Sequence, residues 1–168
     1  MSEFSDSWIV RKTDDVDIPA VLKKAGVECS YANANDWMVV VAGARAKLPR
    51  LFEGTIIRYE YAEDHGMWLK IYSDGELIGE YACEYAEMDE DDTESGVNAP
   101  DFDYAAIAEL LDCAELSLYA ALHPRTFEDA FDVNHAFMEL LGIPAVLYEW
   151  VSPDYLDSGD NEDFIAIE

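Results

Sequence analysis

The residues best placed to do chemistry follow Thr126. With a helix there, at about 100° per residue, Glu128, Asp132, His135 and Glu139 fall in one sector. A histidine flanked by carboxylates at i−3 and i+4 has the donors of a divalent-metal site, or of a base oriented by a carboxylate. A metal-dependent or acid/base enzyme using His135, Asp132 and Glu139 is therefore one reading of the chain. A solvated acidic face with an incidental histidine accounts for the same spacing. Glu-x-x-His gains force only when a second helix matches it, and no second such helix is found here. The solvated face is the preferred reading, and no metal or cofactor is expected.

The acidic run from Glu87 to Asp103 offers oxygen ligands for calcium, which takes six to eight. Counted from Asp91, Thr93, Ser95 and Gly96 fall at suitable positions of a twelve-residue calcium loop. The twelfth position, which needs a bidentate Glu, is Phe102, so the loop is rejected. Cys29, Cys83 and Cys113 stand beside carboxylates that would raise a thiol pKa, and read as buried structural thiols. Their odd number and wide spacing suit a reducing compartment. Phosphate-binding glycine loops, GxSxG and HExxH are absent. Asn134, inside an apolar stripe, reads as a core amide that must find partners.

Charge is the dominant feature. The 168 residues carry 37 acidic and 10 basic side chains, a formal net charge of −27. Residues 1–70 hold nine basic and eleven acidic residues; residues 71–168 hold 26 acidic residues and one base, Arg125. Such a field repels nucleic acid and anionic membranes and attracts basic proteins or cations. A response to a salty or acidic habitat would spread over the whole chain, which the near-neutral first 70 residues do not show. Tyr104, Tyr119, Tyr148, Trp150 and Tyr155 lie in the acidic part, where charge can steer a partner and aromatics can anchor it. Tyr148 and Trp150 read as core and Tyr155 as exposed.

These observations favour a non-catalytic binding protein that neutralises a basic partner, such as a nuclease toxin or another nucleic-acid-binding protein. The expected contacts are Glu87, Asp89, Glu90, Asp91, Asp92 and Glu94, then Glu128, Asp132, Glu139 and Tyr155. In overall character the chain is similar to small bacterial immunity and inhibitor proteins, including nucleic-acid mimics. That resemblance lies in size, acidity and lack of motifs. It implies an inhibitor of a basic protein. The N-terminal residues show neither a basic segment nor a long apolar run, and no apolar stretch approaches the roughly 20 residues of a membrane span. A cytoplasmic location is expected.

The elements that must position these residues read as one domain over 1–168. Strands are expected over 7–12, 27–32, 36–43 and from 54. Asp17, Pro19 and Gly26 frame a short helix over 17–25, and residues 44–53 read as a loop or short helix. Asp74-Gly75 marks a two-residue hairpin. In its simplest register, Trp68, Lys70 and Tyr72 share a face with Gly79, Tyr81, Cys83 and Tyr85. Residues 87–101 read as a solvated, mobile acidic loop between a strand-rich and a helix-rich part. Helices follow over 102–122 and from Thr126 to Gly142, then a strand over 145–151 and an acidic tail from Asp154. The expectation is an α+β fold: an antiparallel sheet of about five to six strands, two C-terminal helices on one face, and a short N-terminal helix.

Overall fold

The structure is a computed structural model that describes residues 2–43, 45–157 and 161–168. Ala44, which opens the expected loop over 44–53, and residues 158–160 of the acidic tail lie outside the described residues.

The fold is α+β around one antiparallel sheet. Among the described residues the sheet has eight strands, more than the five to six expected. In chain order these are β1 (Phe4–Arg11), β2 (Cys29–Ala34), β3 (Trp37–Ala42), β4 (Thr55–Ala62), β5 (Gly66–Ser73), β6 (Glu76–Glu84), β7 (Val97–Asn98) and β8 (Ile165–Ile167). Across the sheet they run β7-β6-β5-β4-β1-β3-β2-β8. β7 and β8, two and three residues long, are the strands a periodicity argument cannot reach. β8 pairs with Cys29–Tyr31 of β2, so part of the acidic tail closes one edge of the sheet.

Among the described residues six helices accompany the sheet: α1 (Ile18–Lys24), α2 (Tyr104–Leu111), α3 (Glu115–Leu122), α4 (Phe127–Ala130), α5 (Val133–Leu141) and α6 (Pro153–Asp157). The Asp17 side chain caps α1, accepting from Ala20 N–H, as expected. The expected helix over 102–122 is two helices. Asp112 adopts a left-handed conformation (φ 56°) and ends α2, a conformation that short polar side chains tolerate. The expected helix from Thr126 is also divided, with α4 ending at Ala130 and α5 starting at Val133. Residues 145–151 form no strand. Ala145–Leu147 is a 3-10 turn, and Tyr148 and Glu149 both donate backbone bonds to Ala145. Their polar groups are satisfied locally, so the run of apolar residues needs no strand partner.

Two hydrophobic clusters occupy the two faces of the sheet. The larger joins Ile9, Val39, Ile57, Tyr59, Leu69 and Tyr81 to Ile107, Leu111, Leu118, Leu122, Phe137 and Met138 of α2, α3 and α5. The smaller joins Trp8, Val10, Met38, Val40 and Ile56 to Ile18 and Leu22 of α1, and to Leu48 of the 3-10 turn Leu48–Arg50. β3 is buried at all six positions, which explains its near-continuous apolar run.

The β5–β6 hairpin corrects the simplest register. Asp74 and Gly75 both take positive φ (50° and 84°), as a type I′ turn requires. Tyr72 pairs with Leu77, but Ile71 pairs with Gly79, leaving Ile78 as an extra residue in a β-bulge. One extra residue moves every later side chain to the opposite face. Tyr81, Cys83 and Tyr85 therefore join Ile71, Leu69 and Met67 in the larger core. Lys70 faces Glu80, and Trp68 faces Ala82. The hydroxyl of Tyr81 donates to the carbonyl of Leu122 at 2.7 Å, tying the end of α3 to the sheet.

Candidate protein-interaction surface

The segment after β6 is built from turns that its own acidic residues hold. The Asp89 carboxylate accepts from the backbone N–H groups of Asp91 and Asp92, at 3.0 and 2.7 Å. The Asp92 carboxylate accepts from Ser95 N–H, and Ser95 Oγ donates to the carbonyl of Glu87 at 2.6 Å. Aspartate readily makes such local bonds, and they set the course of this segment. Glu87, Asp89, Glu90, Asp91, Asp92 and Glu94 are all exposed along it.

The end of this loop is pinned to the helices. Thr93, buried, donates through Oγ1 to the carbonyl of Pro124 at 2.7 Å. Glu94 Oε1 lies 3.4 Å from Nδ1 of His123, whose Nε2 is 2.5 Å from the Tyr104 hydroxyl. Tyr119 stacks on the His123 ring, centroids 4.0 Å apart and planes 11° off parallel. Burial raises the Tyr104 pKa to about 12, with the nearby Tyr119 and Glu94 adding to it. In this carboxylate–imidazole–phenol chain, drawn from residues 94, 104 and 123, the Glu94 link falls short of a hydrogen bond. Their separation kept it out of reach of any spacing argument.

The sector expected around His135 is divided by the break between α4 and α5. Glu128 belongs to α4, while Asp132 is the N-cap of α5, its backbone carbonyl accepting from Ala136 N–H, and it sits in the depression beside Val133 and Ala136 and not in the one that holds His135. His135 Nδ1 lies 2.8 Å from the Tyr148 hydroxyl and 3.5 Å from Glu149 Oε1. Burial, with the charge of Glu149 next, pushes the Tyr148 phenol up to about 12. Glu139 lines a shallow depression with His135, Asn35 and Tyr148, whereas Asp129 and Asp132 line another beside His123 and Arg125. The pinned loop thus brings Glu94 toward Asp129 and Asp132, while Glu139 sits elsewhere on the helical layer. Among the described residues no group of three or more His, Cys, Asp or Glu side chains converges as a metal site.

Glu128, Asp132 and Glu139 are exposed, as are Glu109, Asp112, Glu115 and Asp129 beside them. All belong to α2–α5 or their junctions. The exposed cations Lys23, Lys24, Lys47 and Arg50 belong instead to α1 and the Leu48–Arg50 turn, with Arg45 just before it. Those elements pack on the opposite sheet face. Exposed carboxylates accompany these cations, Asp14, Asp15 and Asp17 before α1, Glu28 after it and Glu53 after the turn, so that side is near balance while the helical layer and its loop carry carboxylates in excess. Tyr155, in α6, is 39% exposed; Tyr148 is buried, and Trp150, expected in the core, is 37% exposed at φ 56°.

Asn134 is fully buried, and so is the hydroxyl of Tyr59. Burial holds the Tyr59 phenol well above its ordinary range, partly offset by the amide of Asn134. Cys29 and Cys83 are buried free thiols and Cys113 is half-buried. Burial raises all three pKa values, that of Cys83 to about 11.

The second sheet face holds a group that sequence reading missed. α1 and the Leu48–Arg50 turn cover only part of that face. Over the remainder, Arg58 pairs with Asp6, lies 3.7 Å from Glu60, and stacks on the Trp8 ring at 4.8 Å. Burial raises the Asp6 carboxyl above its ordinary range more than Arg58 lowers it. No helix among the described residues is long and apolar enough to cross a membrane. Comparison with protein-family models, curated proteins and solved structures finds no match to this chain.

Proposed function

We propose that the protein is a non-catalytic binding protein whose acidic helical layer docks a basic protein partner and neutralises it. The observation that carries this reading is the one-signed charge of the helical layer and its loop. Exposed carboxylates crowd α2–α5 and the 87–94 loop, where Arg125 is the one basic residue, while the exposed lysines and the other exposed arginines lie across the sheet among carboxylates that offset them. A one-signed surface of this kind accelerates association with an oppositely charged protein and disfavours other partners. Its carboxylates stand in for the phosphates that a nucleic-acid-binding protein, such as a nuclease toxin, would otherwise engage. Glu87, Asp89, Glu90, Asp91, Asp92 and Glu94 form the leading contact set, supported by Glu128 and Asp132. Glu139 and Tyr155 are peripheral contacts. The protein is expected to act in the cytoplasm.

The test is affinity capture at low salt from lysate of the source cells. Bait would be the native chain and a variant with the six loop carboxylates replaced by Gln or Asn. The reading predicts one basic protein, retained in stoichiometric amount by the native chain and lost by the variant. Equal recovery of the same proteins on both baits would refute the assignment of the loop.

A further inference from the structure

The uncovered part of the second sheet face has a composition that its register lays out row by row. One row runs Asp6, Glu60, Trp68, Ala82 and Asn98 across β1, β4, β5, β6 and β7. The next runs Trp8, Arg58, Lys70 and Glu80. Ala82 and Asn98 are small beside Trp68, and a groove of about 400 Å³ opens there, lined also by Leu77, Glu80 and Asp101. That volume lies within the range of ligand pockets and well above that of one side chain.

Both cations of the groove are matched: Arg58 by Asp6 and Glu60, and Lys70 by Glu80 at 3.7 Å. Asp101 at the rim and Glu84, which accepts from Trp68 Nε1 at 3.3 Å, add further negative charge. The local balance therefore favours a cationic occupant over an anionic one. The chain also shows how its tryptophans take cations, with Arg58 over Trp8 and Arg11 over Trp37 at 4.8 and 4.9 Å. Among the described residues no cation stacks on Trp68, which is half-buried. A planar guanidinium both stacks on an indole and forks onto carboxylates, which a compact ammonium does less well.

We propose that this groove receives an arginine from an extended basic segment of the partner protein. The guanidinium stacks on Trp68 and is held by the carboxylates that Lys70 leaves free, Glu84 beside the indole N–H and Asp101 at the rim. The inference rests on the reading of the chain as a binder of a basic protein, and it names a second contact on the opposite face.

The experiment is an NMR titration of the full chain with an oligo-arginine peptide and an oligo-lysine peptide of equal length. The Trp68 indole N–H signal would be assigned by Trp68→Phe. The arginine peptide is expected to move that signal more than those of Trp8, Trp37 and Trp150, and to bind more tightly than the lysine peptide. Trp68→Ala is expected to weaken arginine-peptide binding about threefold to thirtyfold, the range of a cation–π contact. Ala82→Arg, which fills the groove without touching the core, is expected to do the same, with the other indole signals reporting an intact fold. Full-affinity binding to both variants with Trp68 unmoved would overturn the groove assignment and leave the acidic-surface reading standing. Absence of salt-dependent binding to either peptide would overturn both. Self-association of the chain through this face, abolished by Ala82→Arg, would also overturn the proposal.

Discussion

Replacing Arg58 by Met isolates what the buried charge pair contributes. The Asp6 and Arg58 side chains are 11% and 13% exposed, so neither is well hydrated. Removing the guanidinium leaves the Asp6 carboxylate buried, with Glu60 nearby and no cation. Breaking one partner of such a pair costs about 3–5 kcal/mol, and loss of the stacking on Trp8 adds about 0.5–2 kcal/mol. The deficit depends on pH with a definite sign. Burial already holds the Asp6 carboxyl above its ordinary range, and without Arg58 it rises further. A carboxyl raised in the folded state contributes stability that is fully present below its unfolded pKa. That contribution is lost as pH rises through the folded value. The variant should therefore come closest to the native chain near pH 4 or just below, about the ordinary aspartate value, and fall furthest behind at neutrality. Urea denaturation at the two pH values measures this. The double variant Asp6→Leu with Arg58→Met removes both charges and should recover to within about 1–2 kcal/mol of the native chain. A single-variant deficit under about 1 kcal/mol, or one equal at both pH values, would refute the argument.

Three further outcomes are expected. Gly66→Ala should lower stability by at least about 2–3 kcal/mol by urea denaturation, because Gly66 has φ +145° and a Cβ there would stand 1.9 Å from the carbonyl oxygen of Cys83. Alkaline titration should unfold the chain cooperatively, followed by circular dichroism and tyrosinate absorbance. Cys83 is held at about 11 and Tyr104 and Tyr148 at about 12 in the fold, so their contribution is intact below the unfolded values of about 9 and 10 and lost as pH rises past them. A thiol reagent should modify half-buried Cys113 first, with Cys29 and Cys83 reacting only at the rate of unfolding; mass spectrometry of the modified peptides would show the order.

How far the sequence carried depended on the range of each signal. Asp74-Gly75 announced its hairpin because the turn type is a local demand for positive φ. The facing of β6 was then inverted by one residue, Ile78, whose bulge no periodicity reports in advance. The stripe on α5 was legible: Asn134, Phe137, Met138 and Leu141 are all buried. The breaks at Asp112 and between α4 and α5 were not, since neither carries the Gly or Pro that marks a helix stop, and a single Asp is only a weak breaker within an apolar helical pattern. β8 was invisible because Ile165–Ile167 becomes a strand only through the partner it meets in β2. The uneven charge could be counted along the chain. Its division between faces could not, because it depends on which core each helix joins. The Glu94–His123–Tyr104 chain and the Trp68 groove were illegible because both join residues from separate elements.

The bulge and the charge division bear on one another. By turning Tyr81, Cys83 and Tyr85 toward the helices, the bulge gives α2, α3 and α5 a continuous apolar floor. The helices can then direct their carboxylates outward, as amphipathic helices do. The same shift leaves Glu80 and Ala82 of β6 on the open face, beside Lys70 and Trp68 of β5. One extra residue in β6 thus shapes both surfaces that we propose as partner contacts.

The most direct test of the central claim is the affinity of the chain for its captured partner, measured between low and high salt. Docking through the acidic helical layer predicts affinity and association rate that fall steeply as salt rises, with a shallower dependence once the 87–94 carboxylates are neutralised. Affinity that holds constant across the salt range, or a dependence unchanged by neutralising that loop, would contradict it.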